Sequence, residues 1–188
     1  MAKNKNDSQF DYNFKQFASP KATVLWSSLI TPSVFEENGV KWKPRFTIKI
    51  ELTKEQADEM AAKHRPALVA AVTEANKTSA TEIKAKDLPI TKRKTKSPEG
   101  VFADTGTYTA SFGNYASYMD GTMKDPVPVI YKDGTPCVEP FMGSTVCVLY
   151  TAQLYQVGAD IGMKFVPIEC VVYELKERPK VEREEIPE

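Results

Sequence analysis

Residues 45–52 read RFTIKIEL, in which Phe46, Ile48, Ile50 and Leu52 alternate with Arg45, Thr47, Lys49 and Glu51. A period of two places four apolar side chains on one face and four polar ones on the other. That pattern requires a strand with one buried side and one wet side. The wet side is half cationic, so a sheet built on this strand shows positive charge to solvent. The rest of the chain must supply the sheet.

It does so with short apolar runs rich in β-branched and aromatic residues. ATVLWSSLI (22–30), TYTASFG (107–113), VPVIY (127–131), GSTVCVLYTAQLYQ (143–156) and MKFVPIECVVYEL (163–175) all read as strands. Pro167 interrupts the last of them and predicts an edge or a bulge there. One segment, TKEQADEMAAKHRPALVAAVTEAN (53–76), has helical character. Thr53 followed by Gln56 predicts a capping box, and Glu55, Asp58 and Glu59 suit the positive end of the helix dipole. Pro66 lacks an amide donor and predicts a kink or restart. The face Ala57, Met60, Ala61, Leu68, Ala71, Val72 and Ala75 predicts close packing on a sheet. Residues 77–105 have little apolar periodicity and read as a long excursion, whose length points to function or disorder.

Two strands, a helix, a basic loop and then further strands predict a mainly β fold: an OB-fold-like Greek-key β-barrel with one intervening helix and flexible termini. A helix placed mid-chain to plug the barrel favours this over a β-sandwich. The domain is expected over 20–176, between a flexible N-terminal arm at 1–19 and a charged, acidic-leaning disordered tail at 177–188. No apolar run approaches the roughly 20 residues of a membrane helix, so no membrane partner is expected. The N-terminus has no apolar stretch of signal-peptide type. Cys137, Cys147 and Cys170 lack paired spacing, which argues against zinc and disulfides and for a reducing, intracellular setting.

The formal net charge of +0 hides a segregation. Residues 41–96 carry 14 cations against 7 acids, whereas residues 97–172 carry 3 against 8. A neutral chain with one basic third can still focus a positive potential over one surface.

Catalytic systems are scarce. His64 is the single histidine and reads as a surface or packing residue, so no Ser/His/Asp or Cys/His system can be built. No GxGxxG or GxxxxGK[ST] loop occurs. Asp120, Asp125 and Asp133 could hold a cation, but MDGTMKD and KDGTP read more simply as turns. The expectation is a non-enzyme without metal or cofactor.

Two stretches interleave cations with rings, the pair of components that sequence-tolerant binding of single strands needs. In KWKPRF, Lys41, Lys43 and Arg45 surround Trp42, whose ring either stacks on bases or folds back to cap the barrel. In TYTASFGNYASYMDG, Tyr108 and Phe112 share a parity, while Tyr115 and Tyr118 have little apolar company. Tyr150 and Tyr155 fall on opposite parities of one strand, so one of them is core. TKRKTK (91–96) adds Lys92, Arg93 and Lys94 as a mobile electrostatic wall for phosphates.

Together with VPVIYKDGTP, FMGSTVCVLY and the glycine-bearing turn before the last strand, this order resembles the single-stranded DNA-binding proteins of tailed bacteriophages. The resemblance covers about residues 20–175 through short motifs. It implies an OB-fold core that binds single-stranded DNA across the barrel face in phage replication or recombination. The setting it implies is the cytoplasm of the infected bacterium, with oligomers compatible. It also implies an acidic tail, here Glu182, Glu184, Glu185 and Glu188, that recruits phage or host replication and recombination proteins. Lys180 and Arg183 within that tail, and its Ile-Pro-Glu end, depart from the pattern. The alternative is a β-rich phage virion or assembly protein whose basic loop is merely solvated.

Overall fold

The computed structural model describes residues 12–179. Its strands are β1 (Gln16–Ala18), β2 (Ala22–Ser33), β3 (Glu36–Glu37), β4 (Val40–Lys41), β5 (Arg45–Leu52), β6 (Lys84–Ala85), β7 (Ile90–Lys96), β8 (Phe102–Tyr115), β9 (Val129–Tyr131), β10 (Thr145–Val157) and β11 (Asp160–Glu174). The helix α1 (Lys54–Asn76) lies between β5 and β6. The mainly β expectation holds. The pairings β10–β2, β2–β5, β5–β8, β8–β11 and β11–β10 run in a ring that returns to its start. The ring is thinnest where β8 meets β11, through the pair Phe112 and Phe165.

RFTIKIEL behaves as its alternation requires. Phe46, Ile48, Ile50 and Leu52 are buried, and Arg45 and Lys49 are exposed. Complete burial of Ile48 and Ile50 stabilises the fold by about 1.5–3 kcal/mol each. Pro167 sits where the β10–β11 register shifts between Leu149 and Tyr150, as a residue without an amide donor should. Asp120 and Asp133 each accept from the backbone N–H and the hydroxyl of the threonine two residues on. Gly121 and Gly134 supply the positive φ of these turns.

α1 begins with the expected capping box. The Gln56 N–H donates to Thr53 Oγ1, and the Thr53 N–H donates to Gln56 Oε1. The helix does not restart at Pro66 but runs unbroken to Asn76. Ala57, Met60, His64 and Leu68 are buried on either side of the proline, and their packing offsets the missing hydrogen bond.

Two other expectations need correction. Of the arm at 1–19, residues 16–18 form β1, which pairs with β10, and Phe17 packs on the core. The excursion at 77–105 contains β6 and the whole of β7, which forms a hairpin with β8. Lys, Thr and Arg in β7 face water on both sides, so the run lacks the apolar period that marks a strand. The tail acids Glu182, Glu184, Glu185 and Glu188 lie outside the described residues.

His64 is the least expected core residue, fully buried on α1. The Tyr12 hydroxyl lies 2.7 Å from Nδ1, and the Tyr150 hydroxyl 2.7 Å from Nε2. Phe17 and Phe165 pack on the ring with centroids at 4.6 and 4.9 Å. Burial, reinforced by the Lys63 charge, lowers the imidazole pKa to about 4, so the ring is neutral at pH 7. A neutral imidazole has one donor and one acceptor nitrogen, and two tyrosine hydroxyls satisfy both.

Candidate nucleic-acid interface

The wet face of β5 continues onto β8 through an antiparallel register. Arg45 stands opposite Tyr115, Thr47 opposite Gly113, Lys49 opposite Ser111, and Glu51 opposite Thr109. On the other flank Trp26 of β2 stands opposite Lys49. These side chains point away from the core because their neighbours Ile48, Ile50, Ala110 and Phe112 point into it.

A groove of about 340 Å³ runs over this face, bordered by Arg45, Lys49, Gly113, Tyr155 and Lys164. At one end the Arg45 guanidinium lies 4.4 Å from the Tyr115 ring centroid and donates to its hydroxyl at 2.8 Å. The pair presents a ring and a charge that hold each other in place. The floor is low because Gly113 has no side chain; a Cβ there would stand 3.3 Å from Thr47 Cγ2. At the other end the Tyr155 ring lies across the backbone of β11. Its register partner is Gly162, where a Cβ would fall 2.5 Å from the ring's Cζ. Glycine at 162 therefore lets Tyr155 lie flat and exposed beside Lys164. Lys49 and Lys164 have no ion-pair partner among the described residues.

The residues singled out in the sequence divide. Arg45 and Tyr115 form the groove's end wall. Tyr118 is exposed in the following turn, with Lys124 Nζ 5.2 Å from its centroid. The Ala116 N–H donates to Pro44 O, which keeps this turn beside the Arg45 end. Lys43 is exposed just before that end. Trp42 does not cap the core: it is 57% exposed, and its backbone N–H donates to Phe35 O at 2.8 Å. Lys41 is drawn to Glu36 at 3.8 Å on the small β3–β4 hairpin.

Two rings are corrected. Tyr108 and Phe112 do share a side, but it is the inner one. Phe112 is 1% exposed, opposite Ile48 and in contact with Tyr150 and Phe165, so it offers no face to a base. Tyr108 is half-buried and packs against the core. The basic run is also split. Arg93 turns to the wet side and pairs with Glu51 at 2.5 Å. Lys92 and Lys94, two apart in register with Tyr108 and Asp104, share the opposite face. They are therefore not a wall of this groove.

Sequence reasoning missed Lys49, Tyr155, Lys164 and Trp26. Lys49 was readable, since it shares the parity of Arg45. Tyr155 was half-readable as the outward member of the Tyr150/Tyr155 pair. Lys164 and Trp26 gave no signal until the strands were paired.

No family model and no curated protein sequence matches the chain. Among solved structures, the crystal structure of gp2.5, a single-stranded DNA-binding protein encoded by bacteriophage T7, is similar with a TM-score of 0.62 and 20% identity. The match covers 92% of this chain and 98% of that one. The single-stranded DNA-binding protein from bacteriophage Enc34, in complex with ssDNA, is similar with a TM-score of 0.54 and 13% identity, over 86% of this chain and 88% of that one. With strands, helix and groove as described, this chain has the fold of these phage single-stranded DNA-binding proteins.

Proposed function

We propose that this protein is a non-catalytic, sequence-tolerant single-stranded DNA-binding protein of phage DNA replication or recombination, working in the cytoplasm of the infected bacterium. In this reading the ring of β2, β5, β8, β10 and β11 is an OB-type barrel. Taken in chain order these are strands one to five, and the pairings follow the order 1-2-3-5-4-1. OB folds bind oligonucleotides on the face of strands two and three, between the loops after strands one and four. Here that face is β5–β8, the first loop carries Trp42, and the second joins β10 to β11 between Tyr155 and Lys164. The Enc34 relative in complex with ssDNA supports the choice of ligand.

One observation carries the proposal: a groove with Tyr115 and Tyr155 at its ends and unpaired cations between them. Phosphates follow Arg45, Lys49 and Lys164, while bases stack on the rings, each stacked base adding roughly 1–3 kcal/mol. Trp42, Lys43 and Tyr118 extend the track at the Arg45 end. The acidic tail with Glu182, Glu184, Glu185 and Glu188 recruits replication partners.

The test is titration with oligo(dT) of about 30 nucleotides, longer than the roughly 4–16 that one such fold covers. Quenching of Trp26 and Trp42 is expected, with log affinity falling against log salt by roughly 0.7 per phosphate contact. Duplex of the same length should bind far more weakly. No binding to the single strand at low salt overturns the proposal and returns the virion-protein reading.

A further inference from the structure

The basic run that does not line the groove has a surface of its own. β8 is shared with β5 from Tyr108 to Tyr115, but from Phe102 to Asp104 it pairs only with β7. The hairpin of β7 and β8 therefore projects past the end of β5 with both faces in solvent. On the groove side stands Arg93, its charge engaged by Glu51. On the other side stand Lys92, Lys94 and Lys96, in register with Tyr108, Asp104 and Phe102.

This second face holds the same two components as the groove. Lys92, Lys94 and Lys96 are exposed and have no ion-pair partner among the described residues, although Asp104 lies opposite Lys94. Alternate residues of a strand are about 6.6 Å apart, close to the spacing of successive phosphates in an extended single strand. Phe102 is 64% exposed, with Lys96 Nζ 5.7 Å from its centroid. The sheet lies between these lysines and the groove.

We propose that the lysine face of the β7–β8 hairpin is a second, weaker single-strand-binding surface, so that one protomer holds two separate segments of nucleic acid. The proposal rests on the groove reading above. Charge complementarity selects a phosphodiester chain: three unpaired cations in a row beside an exposed ring are the features that suit a single strand. An acidic protein segment would find the charges but no use for the ring.

The test uses the full chain and three proteins: wild type, Lys92→Ala/Lys94→Ala/Lys96→Ala, and Arg45→Ala/Tyr115→Ala. Short donor-labelled and acceptor-labelled oligo(dT) are mixed with each, and energy transfer reports two oligonucleotides on one particle. Sedimentation gives the oligomeric state and the oligonucleotides bound per protomer, and thermal melting confirms folding. Wild type should show transfer and two oligonucleotides per protomer. The lysine variant should lose the transfer and the second oligonucleotide, while its tight binding of one changes by no more than roughly threefold. The groove variant should lose the tight phase and keep the weak one. Transfer that survives in the lysine variant, or one oligonucleotide per protomer in wild type, overturns the proposal. A lysine variant that loses the tight phase also overturns it, by joining hairpin and groove into one track. A wild type that binds no oligonucleotide at all sinks the groove reading and this proposal together. If instead polyglutamate, but not oligo(dT), competes for the hairpin, the surface belongs to an acidic protein and the proposal fails.

Discussion

Two clusters of rings sit on opposite sides of the same strands and have opposite fates. Inside, Phe17, His64, Phe112, Tyr150 and Phe165 pack edge-on or tilted, with most neighbouring centroids 4.6–5.8 Å apart. Outside, Tyr115 and Tyr155 stand apart at the two ends of a groove, each beside a cation. The inner cluster satisfies all its polar atoms internally: both nitrogens of His64 meet tyrosine hydroxyls. The outer one leaves Lys49 and Lys164 without ionic partners among the described residues. One cluster is therefore a structural node that tolerates little change. The other is an open set of contacts whose loss should spare the fold.

The largest effect expected from this contrast is on stability. His64→Ala removes a buried ring and leaves the hydroxyls of Tyr12 and Tyr150 without their partner. Unfolding in denaturant should show a loss of about 3 kcal/mol or more. A loss under about 1 kcal/mol would mean that the inner cluster is no more constrained than the outer one.

The pH dependence comes next. Native His64 titrates at about 4, and the unfolded imidazole near its ordinary value of 6.5. Between these values the unfolded chain binds a proton that the native chain does not. Stability therefore falls as pH drops through this window, by up to about 1.4 kcal/mol per pH unit. Urea midpoints measured across the window should show this slope in wild type and lose it in His64→Gln.

Changes in the outer cluster should move binding and leave stability alone. Tyr155→Ala is expected to weaken oligo(dT) binding by about 1–3 kcal/mol with an unchanged melting temperature. Gly162→Ala sharpens this, because the atoms nearest its methyl group would be those at the far end of the Tyr155 ring, which it would displace. It should reproduce much of the Tyr155→Ala loss while every groove side chain remains. If Gly162→Ala binds like wild type, the flat orientation of Tyr155 does not matter to the ligand.

The smallest effect is that of a single exposed cation. Lys49→Ala should make the salt dependence shallower by roughly 0.7 in log–log slope and alter affinity only modestly near physiological salt. An unchanged slope would remove Lys49 from the phosphate track.

How far the sequence could be read depended on whether the signal was local. RFTIKIEL announced both its core side and its wet side, because alternation is a property of eight consecutive residues. The capping box at Thr53 and the Asp-Gly turns were equally local. TKRKTK misled for the complementary reason. Its strand is wet on both faces, so it carries no hydrophobic period, and its partner β8 lies beyond an intervening turn. Phe112 misled because parity assigns two rings to one side without saying which side faces inward. That is decided by its register with Ile48, across β5.

The order of residues settled the composition of the elements: which strands alternate, where the helix starts, and that a basic third must be matched by acid elsewhere. Only the tertiary structure decided which side chains share a surface. Pairing of β5 with β8 set Arg45 against Tyr115, and pairing of β10 with β11 laid Tyr155 over Gly162. Pairing of β7 with β8 turned Arg93 one way and its neighbouring lysines the other. The physical reason is that a strand's side chains alternate along the chain but meet across it, so their neighbours are set by pairing and register, whether the partner follows a short turn, as β11 follows β10, or lies tens of residues away, as β8 does from β5.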